Sequence, residues 1–379
     1  MTTAIKFLTF NQTLSLIKAV GHKRTVLVVG ENGIGKTSLF AALKADPKFA
    51  NHIAVDPIDC TQMSDGSVWM PDLDREAGIS RELPNERFGL SKTNQKGVPG
   101  ARPVLVFMDE ALKCPQYIQN TIAPIVYDRR IGTYHFVEGS VVVIASNMAV
   151  EGLGDAIKPH LRSRLILVHM RKSTQIEWQR DFAIPFRLNA TVIACTREHP
   201  EMFDSFMDYE PGGRKEKLNI LKDNGMINNP RGGNNEAFVN PRSLHAASDI
   251  VNEYEQGLID DETLEVALDG TIGPVARAFM ASFIRFGAQI TPIERVIADP
   301  EHAPLSDNPN VQMIQILKFV TQTVDRSTAD CVIRYIERMR GEMQSMFCNE
   351  VSCSPKSIPY FLTNTKFVMM QKQHRSKFA

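Results

Sequence analysis

The chain has 379 residues, 43% of them hydrophobic, enough to bury cores for two or three domains. Its 43 Lys and Arg equal its 43 Asp and Glu, which excludes wholesale electrostatic wrapping of nucleic acid and leaves only a local basic groove open. The six cysteines, Cys60, Cys114, Cys195, Cys331, Cys348 and Cys353, contain no C-x-x-C pair, so zinc is not expected and the thiols read as reduced structural groups of a cytoplasmic protein.

In chain order, Lys6 and Asn11 interrupt any N-terminal apolar run. No signal peptide is expected, and no stretch reaches the apolar length of a membrane span. The first strong pattern follows: Val26-Leu27-Val28-Val29, then Gly30-Glu31-Asn32-Gly33-Ile34-Gly35-Lys36-Thr37-Ser38. Four aliphatic residues predict a buried strand, and Leu39 to Leu43 predict a helix. Between them Gly30, Gly35, Lys36 and Thr37 occupy the fixed places of the phosphate loop G-x-x-x-x-G-K-[ST]. The spacing has a physical cause. Backbone N–H groups must turn inward to hold phosphate oxygens, and side chains there would block them. The helix N-terminus adds partial positive charge. Residues Gly30, Glu31, Asn32, Gly33, Ile34, Gly35, Lys36, Thr37 and Ser38 are therefore candidate nucleotide-binding positions. Lys36 would reach the β- and γ-phosphates, and the Thr37 hydroxyl would ligate Mg²⁺. The alternative is a chance glycine-rich turn, against which the flanking strand and helix argue.

Ile53-Ala54-Val55 reads as a second strand. The polar stretch from Asp59 to Ala101 is too long for an ordinary connection. Pro103 to Met108 then predicts another buried strand, ending in Asp109-Glu110. A carboxylate at such a strand tip can hold Mg²⁺, which suits Asp109, and Glu110 can serve as general base toward water. The pair could equally cap a helix beginning at Ala111. Ile131 to Val137 reads as a strand, with a tight turn at Glu138-Gly139-Ser140 into Val141–Ser146 and Asn147. An amide at that carboxyl end can orient water against a phosphate, although asparagine also ends strands as a turn former. Arg162 and Arg164 precede the apolar run Leu165–Val168. Either could stabilise transition-state charge, or both could be solvated surface groups.

Thr174 with Glu177 predicts a capping box that opens a helical region. Glu210-Pro211-Gly212-Gly213 and Asn228-Asn229-Pro230-Arg231-Gly232-Gly233 bracket a flexible stretch. Asn240-Pro241 then starts a helix with Leu244, Ala247, Val251 and Tyr254 on one face. Arg242 lies in its first turn, where the helix dipole disfavours a cation unless an anion is near. After Thr291 a further helical unit follows, including Val311–Val320 and Ala329–Arg340, and ends in a basic tail. No internal repeat is visible.

The order of phosphate loop, Asp109-Glu110, Asn147, Arg164 and Asn240-Pro241-Arg242 resembles the AAA+ ATPases, and within them the MoxR-like branch, over roughly residues 10 to 290. The blocks Asn85-Glu86-Arg87-Phe88-Gly89 and Thr263 to Ile290 look most like phage- and prophage-encoded members. The resemblance implies an α/β fold: a parallel sheet with helices on both faces over 1–170, a helical lid over 171–290 with a flexible insert near 208–238, and a C-terminal helical unit over 291–379. It implies ATP and Mg²⁺ as ligands, Asp109 and Thr37 at the metal, and Glu110, Asn147 and Arg242 at the reacting phosphate. Arg164 would act across a subunit boundary; because the family's Arg-Phe ending is Arg164-Leu165 here, Arg162 two residues earlier is the alternative. It further implies a homo-oligomer, as a hexamer, that remodels a protein partner, often one bearing a von Willebrand factor A domain. In AAA+ rings the region after the second strand carries loops facing the pore, where Trp69-Met70 is a candidate gripping pair unless the tryptophan belongs to the core, and in MoxR-like proteins the hairpin before Asn147 also points at the pore. A motor or loader acting on DNA is the rival reading, and an ATP-driven assembly module a third. No Asn-Lys-x-Asp guanine motif is present; Thr93-Asn94-Gln95-Lys96 is not one.

Overall fold

A computed structural model describes residues 6–64, 66–148, 163–209, 225–228, 230 and 236–375. The chain divides into two compact units, Met1–Lys172 and Ser173–Ala379.

The first unit is built on a parallel sheet. Its strands are β1 (Phe7–Leu8), β2 (Thr25–Gly30), β3 (Ile53–Ala54), β4 (Ile58–Asp59), β7 (Val104–Asp109), β10 (Val141–Asn147) and β11 (Leu165–Met170). Two antiparallel hairpins supply the rest, β5 (Trp69–Asp74) with β6 (Ile79–Pro84), and β8 (Arg130–Ile131) with β9 (Tyr134–His135). The spatial order is β1-β11-β2-β10-β7-β3, with β4 also paired to β7. β2 and β10 are buried along their whole length, as strands covered on both faces must be. Alternation sorts their side chains. Val26, Val28, Leu105, Phe107, Val141, Val143 and Ala145 pack with α1 (Phe10–Val20) and α2 (Ser38–Ala45) on one face. α3 (Gln116–Tyr127) covers the other, where the Thr25 hydroxyl donates to the Val126 carbonyl. Asp109 and Asn147 continue the odd-numbered register of β7 and β10, so both fall on the face from which α2 starts.

The connections locate the crevice. From β2 the chain runs through α2 toward β3, past β10 and β7; after β10 it returns to the opposite side of β2 as β11. Neighbouring strands whose chains leave in opposite directions open a cleft at their carboxyl ends. That cleft lies between the ends of β2 and β10, where Asn147 stands in register with Gly30.

Three local expectations change. The second strand is two short pieces, β3 and β4, both paired to β7. The run from Ile131 is not one strand but the β8–β9 hairpin around Gly132, followed by a turn at Gly139. Residues 111–114 form a turn, and α3 begins only at Gln116, so Asp109-Glu110 does not cap a helix at Ala111.

Among its described residues, the second unit's regular elements are all helices. The capping box at Thr174 and Glu177 is present in both directions. A single apolar core runs from Trp178 to Met370, and Ile290 packs against it. Residue 290, where the sequence reading divides lid from C-terminal unit, therefore falls inside one core. The cause is packing: helix Pro309–Gln322 lies against helices Ala190–Glu198 and Pro274–Gly287. Most of the stretch read as a flexible insert lies outside the described residues.

Phe107 is fully buried, and its ring centroid is 6.1 Å from that of Phe40. Phe107→Ala should leave a cavity beneath α2 and cost about 3–5 kcal/mol, measured as a lower urea midpoint of unfolding.

Candidate nucleotide-binding site

The loop after β2 is shaped by two glycines. Gly35 has φ 91°, a conformation that side chains disfavour. A Cβ on Gly30 would come within 2.7 Å of the Met170 carbonyl oxygen and 2.6 Å of Ile34 Cδ1. The amides of Gly33, Ile34, Gly35 and Thr37 donate to no backbone carbonyl among the described residues. They belong to a loop that ends at the N-terminus of α2, and Thr37 occupies the N-cap position without a side-chain cap bond. Donors arranged in this way suit an anion with several oxygens.

Lys36 lies at the centre, only 6% exposed. Its Nζ donates to the carbonyls of Gly30 and Glu31 at 2.9 and 2.7 Å, and to Asn147 Oδ1 at 2.7 Å. Three acceptors match the three protons of an ammonium group. Beside it, the Thr37 hydroxyl donates to Asp109 Oδ2 at 2.7 Å. Asp109 Oδ1 accepts from the Glu110 amide at 3.0 Å. Loop, Asp109 and Asn147 are thus joined by direct hydrogen bonds, across three strands and a sequence span of more than 110 residues.

Glu110 follows the last residue of β7 with φ 54°. A non-glycine residue held there costs on the order of 1 kcal/mol or more and needs support from its surroundings. Lys113 Nζ sits 3.0 Å from Glu110 Oε2. That oxygen is buried and has ion-pair contact without an aligned hydrogen bond. Its unfilled acceptor capacity suits a proton-accepting role toward water. Sequence reasoning did not single out Lys113, although a lysine three residues after an acid was a readable signal. Nor did it single out Asp59, which stands opposite Asp109 in the β4–β7 pairing. Its signal was an acid directly after the apolar Ile58.

The arginines are placed differently. Arg164 immediately precedes β11, and Leu165 is in register with Thr25, the first residue of β2. It is therefore at the amino edge of the sheet, about 17 Å along β2 from Gly30. Its guanidinium carbon lies 4.5 Å from the ring centroid of Tyr127. Arg162 lies outside the described residues. Arg242 is exposed in the first turn of helix Pro241–Glu255 in the second unit. There Asn240 Oδ1 accepts from the Ser243 amide at 2.8 Å, and Ser243 Oγ accepts from the Asn240 amide at 2.9 Å.

No protein-family model matches the chain, and no curated protein is similar to it. Among solved structures it is similar to NtrX from Brucella abortus in complex with ADP, at 13% identity and a TM-score of 0.37, over 99% of this chain and 70% of that one. NtrX in complex with ATP gives 13% and 0.36 over the same shares. A mutant RuvB from Thermotoga maritima gives 15% and 0.33, over 72% of this chain and 68% of that one. Likeness at this level says nothing about chemistry; the residues of the cleft do.

Among the described residues, no helix is long and apolar enough to cross a membrane, and no cluster of three or more His, Cys, Asp or Glu could hold a metal. Burial pushes the Cys60 and Cys195 thiols far above their ordinary range, and Cys114 and Cys348 up to about 11. A group whose folded pKa is raised stays protonated at neutral pH, and the thiol is a poor nucleophile. Thiol labelling of the native protein at pH 8 should leave these four unmodified, with all six reacting after unfolding; fast native labelling of Cys60 would contradict the burial.

Proposed function

We propose that the chain is an AAA+-type ATPase of the MoxR-like kind, acting as a homo-oligomeric ring, as a hexamer, to remodel a protein partner. One observation carries the reading. Lys36 with Asn147, and the adjacent Thr37 with Asp109, form two hydrogen-bonded pairs in a single cleft at the carboxyl edge of a parallel sheet. With Glu110 beside them, these groups suit a nucleoside triphosphate: amides and an ammonium for phosphate oxygens, a hydroxyl and a carboxylate for a divalent ion, and an amide and a second carboxylate for water.

The triphosphate would lie along the loop from Gly30 to Ser38. Lys36 would exchange acceptors, giving up carbonyl contacts for phosphate oxygens that carry full charge. Thr37 Oγ1 and Asp109 are hard oxygen donors of the type Mg²⁺ prefers, and would hold it. Bound there, the ion would neutralise charge on the β- and γ-phosphates. Glu110 would take a proton from the attacking water as its oxygen bonds to the γ-phosphorus and the bond to the β-γ bridging oxygen breaks. Asn147 would orient that water. Arg164 is too far from its own loop to serve it, so its charge would act in the cleft of an adjoining copy. Arg242 would contribute from the lid, and Arg162 remains the alternative finger.

Calorimetry should show uptake of magnesium and adenine nucleotide that Lys36→Ala weakens about tenfold to a hundredfold, the equivalent of one charged hydrogen bond. Absence of uptake in the wild type would end the reading. Glu110→Gln should lower turnover by about 10² to 10⁴, and Arg164→Ala should also lower it. Mixing the two variants should restore part of the activity, because some clefts then combine an intact Glu110 with an intact Arg164 from the neighbour. Stimulation of the ATPase by DNA at low salt, without a protein substrate, would move the target from protein to nucleic acid.

A further inference from the structure

Arg164 has a built support. The amino edge of the first unit brings three elements to one point. Leu165, next to Arg164, pairs in register with Thr25 at the start of β2. Thr25 Oγ1 in turn donates to the Val126 carbonyl at 2.5 Å. That carbonyl lies in the last turn of α3, where helix carbonyls lack a partner of their own. The bond fixes the end of α3 against β2, and the next residue is Tyr127. Its half-buried ring lies 4.5 Å from the guanidinium carbon of the exposed Arg164. A guanidinium over an aromatic face is attracted by the ring quadrupole and loses little of its hydration. No acidic partner is needed to hold it, and among the described residues its N–H groups make no hydrogen bond or ion pair, which suits an incoming anion.

The other end of α3 adds a second fact. The helix begins at Gln116, directly after the turn carrying Glu110 and its ion-pair partner Lys113. The Ala111 amide donates to the Ala145 carbonyl, and the Lys113 amide to the Glu110 carbonyl. One helix, about 18 Å long, thus starts just after the turn that carries the acid of its own cleft and ends at the arginine on the opposite edge.

We infer that Tyr127 is a positioning residue: its ring holds Arg164 in the orientation in which the guanidinium is presented to the phosphate bound by an adjoining copy of this chain. The inference rests on the trans role given above to Arg164. In this role Tyr127 would act only through Arg164.

The test uses the full chain, with ATP as substrate. Tyr127→Leu should lower kcat about fivefold, the rate equivalent of ~1 kcal/mol, with KM for ATP and thermal midpoint unchanged. Tyr127→Phe, which keeps the ring face, should turn over like wild type. The double variant with Arg164→Ala should be no slower than Arg164→Ala alone, because the ring acts only through the arginine. Wild-type kcat in Tyr127→Leu alongside an impaired Arg164→Ala would overturn the inference while leaving the ATPase reading intact. So would a double variant a further fivefold below Arg164→Ala. Full activity in Arg164→Ala would remove the trans role itself, and this inference with it. Should Tyr127→Leu fail to fold, Tyr127→Met fills the space without a ring and carries the same expectations.

Discussion

The cleft depends on one buried ammonium group. An unpaired charge at the exposure of Lys36 would be costly, so its protons must be met by oxygen atoms in fixed places. Those oxygens come from the last residue of β2, the first residue of the loop, and the last residue of β10. The side chain therefore ties the carboxyl ends of two adjacent strands to the loop between β2 and α2. The loop's own glycines allow its shape without enforcing it, since they are permissive in both hands. The lysine supplies the enforcement. The same bonds make the cleft ready for an anion: each carbonyl contact can be exchanged for a stronger one to a charged oxygen.

Around this centre the structure breaks local rules where chemistry would need it to. Glu110 sits in a left-handed conformation with no glycine to ease it, and one of its buried carboxylate oxygens has no aligned hydrogen bond. Departures of this kind persist only where surrounding structure compensates. Here the compensation comes from the ion pair with Lys113 and from the Asp109 carboxylate that accepts the Glu110 amide. By contrast, β2 and β10 obey every expectation for strands covered on both faces. Rigid strands with a strained residue at the tip hold a side chain in place more firmly than a loop alone would.

Much of this was readable residue by residue. Four aliphatic residues before Gly30, and the runs before Asp109 and Asn147, announced buried strands because parallel strands cannot alternate polar and apolar residues. Thr174 with Glu177, and Asn240 with Pro241, announced helix starts because capping is a local matter of a few side chains. Less was readable where pairing is short or distant. The splitting of the second strand into β3 and β4 follows from what β7 offers as a partner. The two-residue strands β8 and β9 have too little pattern to stand out from a turn. That one apolar core spans residue 290 was not readable either, because a core is set by contacts between helices far apart in sequence.

From its residues alone the chain already specified the candidate groups of the cleft: a glycine loop with a lysine, a hydroxyl, two carboxylates and an amide, each at the end of a predicted strand or the start of a helix. Spacing along a strand settles which edge a residue occupies, and composition settles what it can bond. What only folding decided was who meets whom. That Lys36 donates to Asn147 and Thr37 to Asp109, and that Arg164 rests on Tyr127 at the far edge from its own loop, follow from the order of strands in the sheet. That order is a property of packing helices on two faces and closing long connections, and no short stretch of sequence contains it.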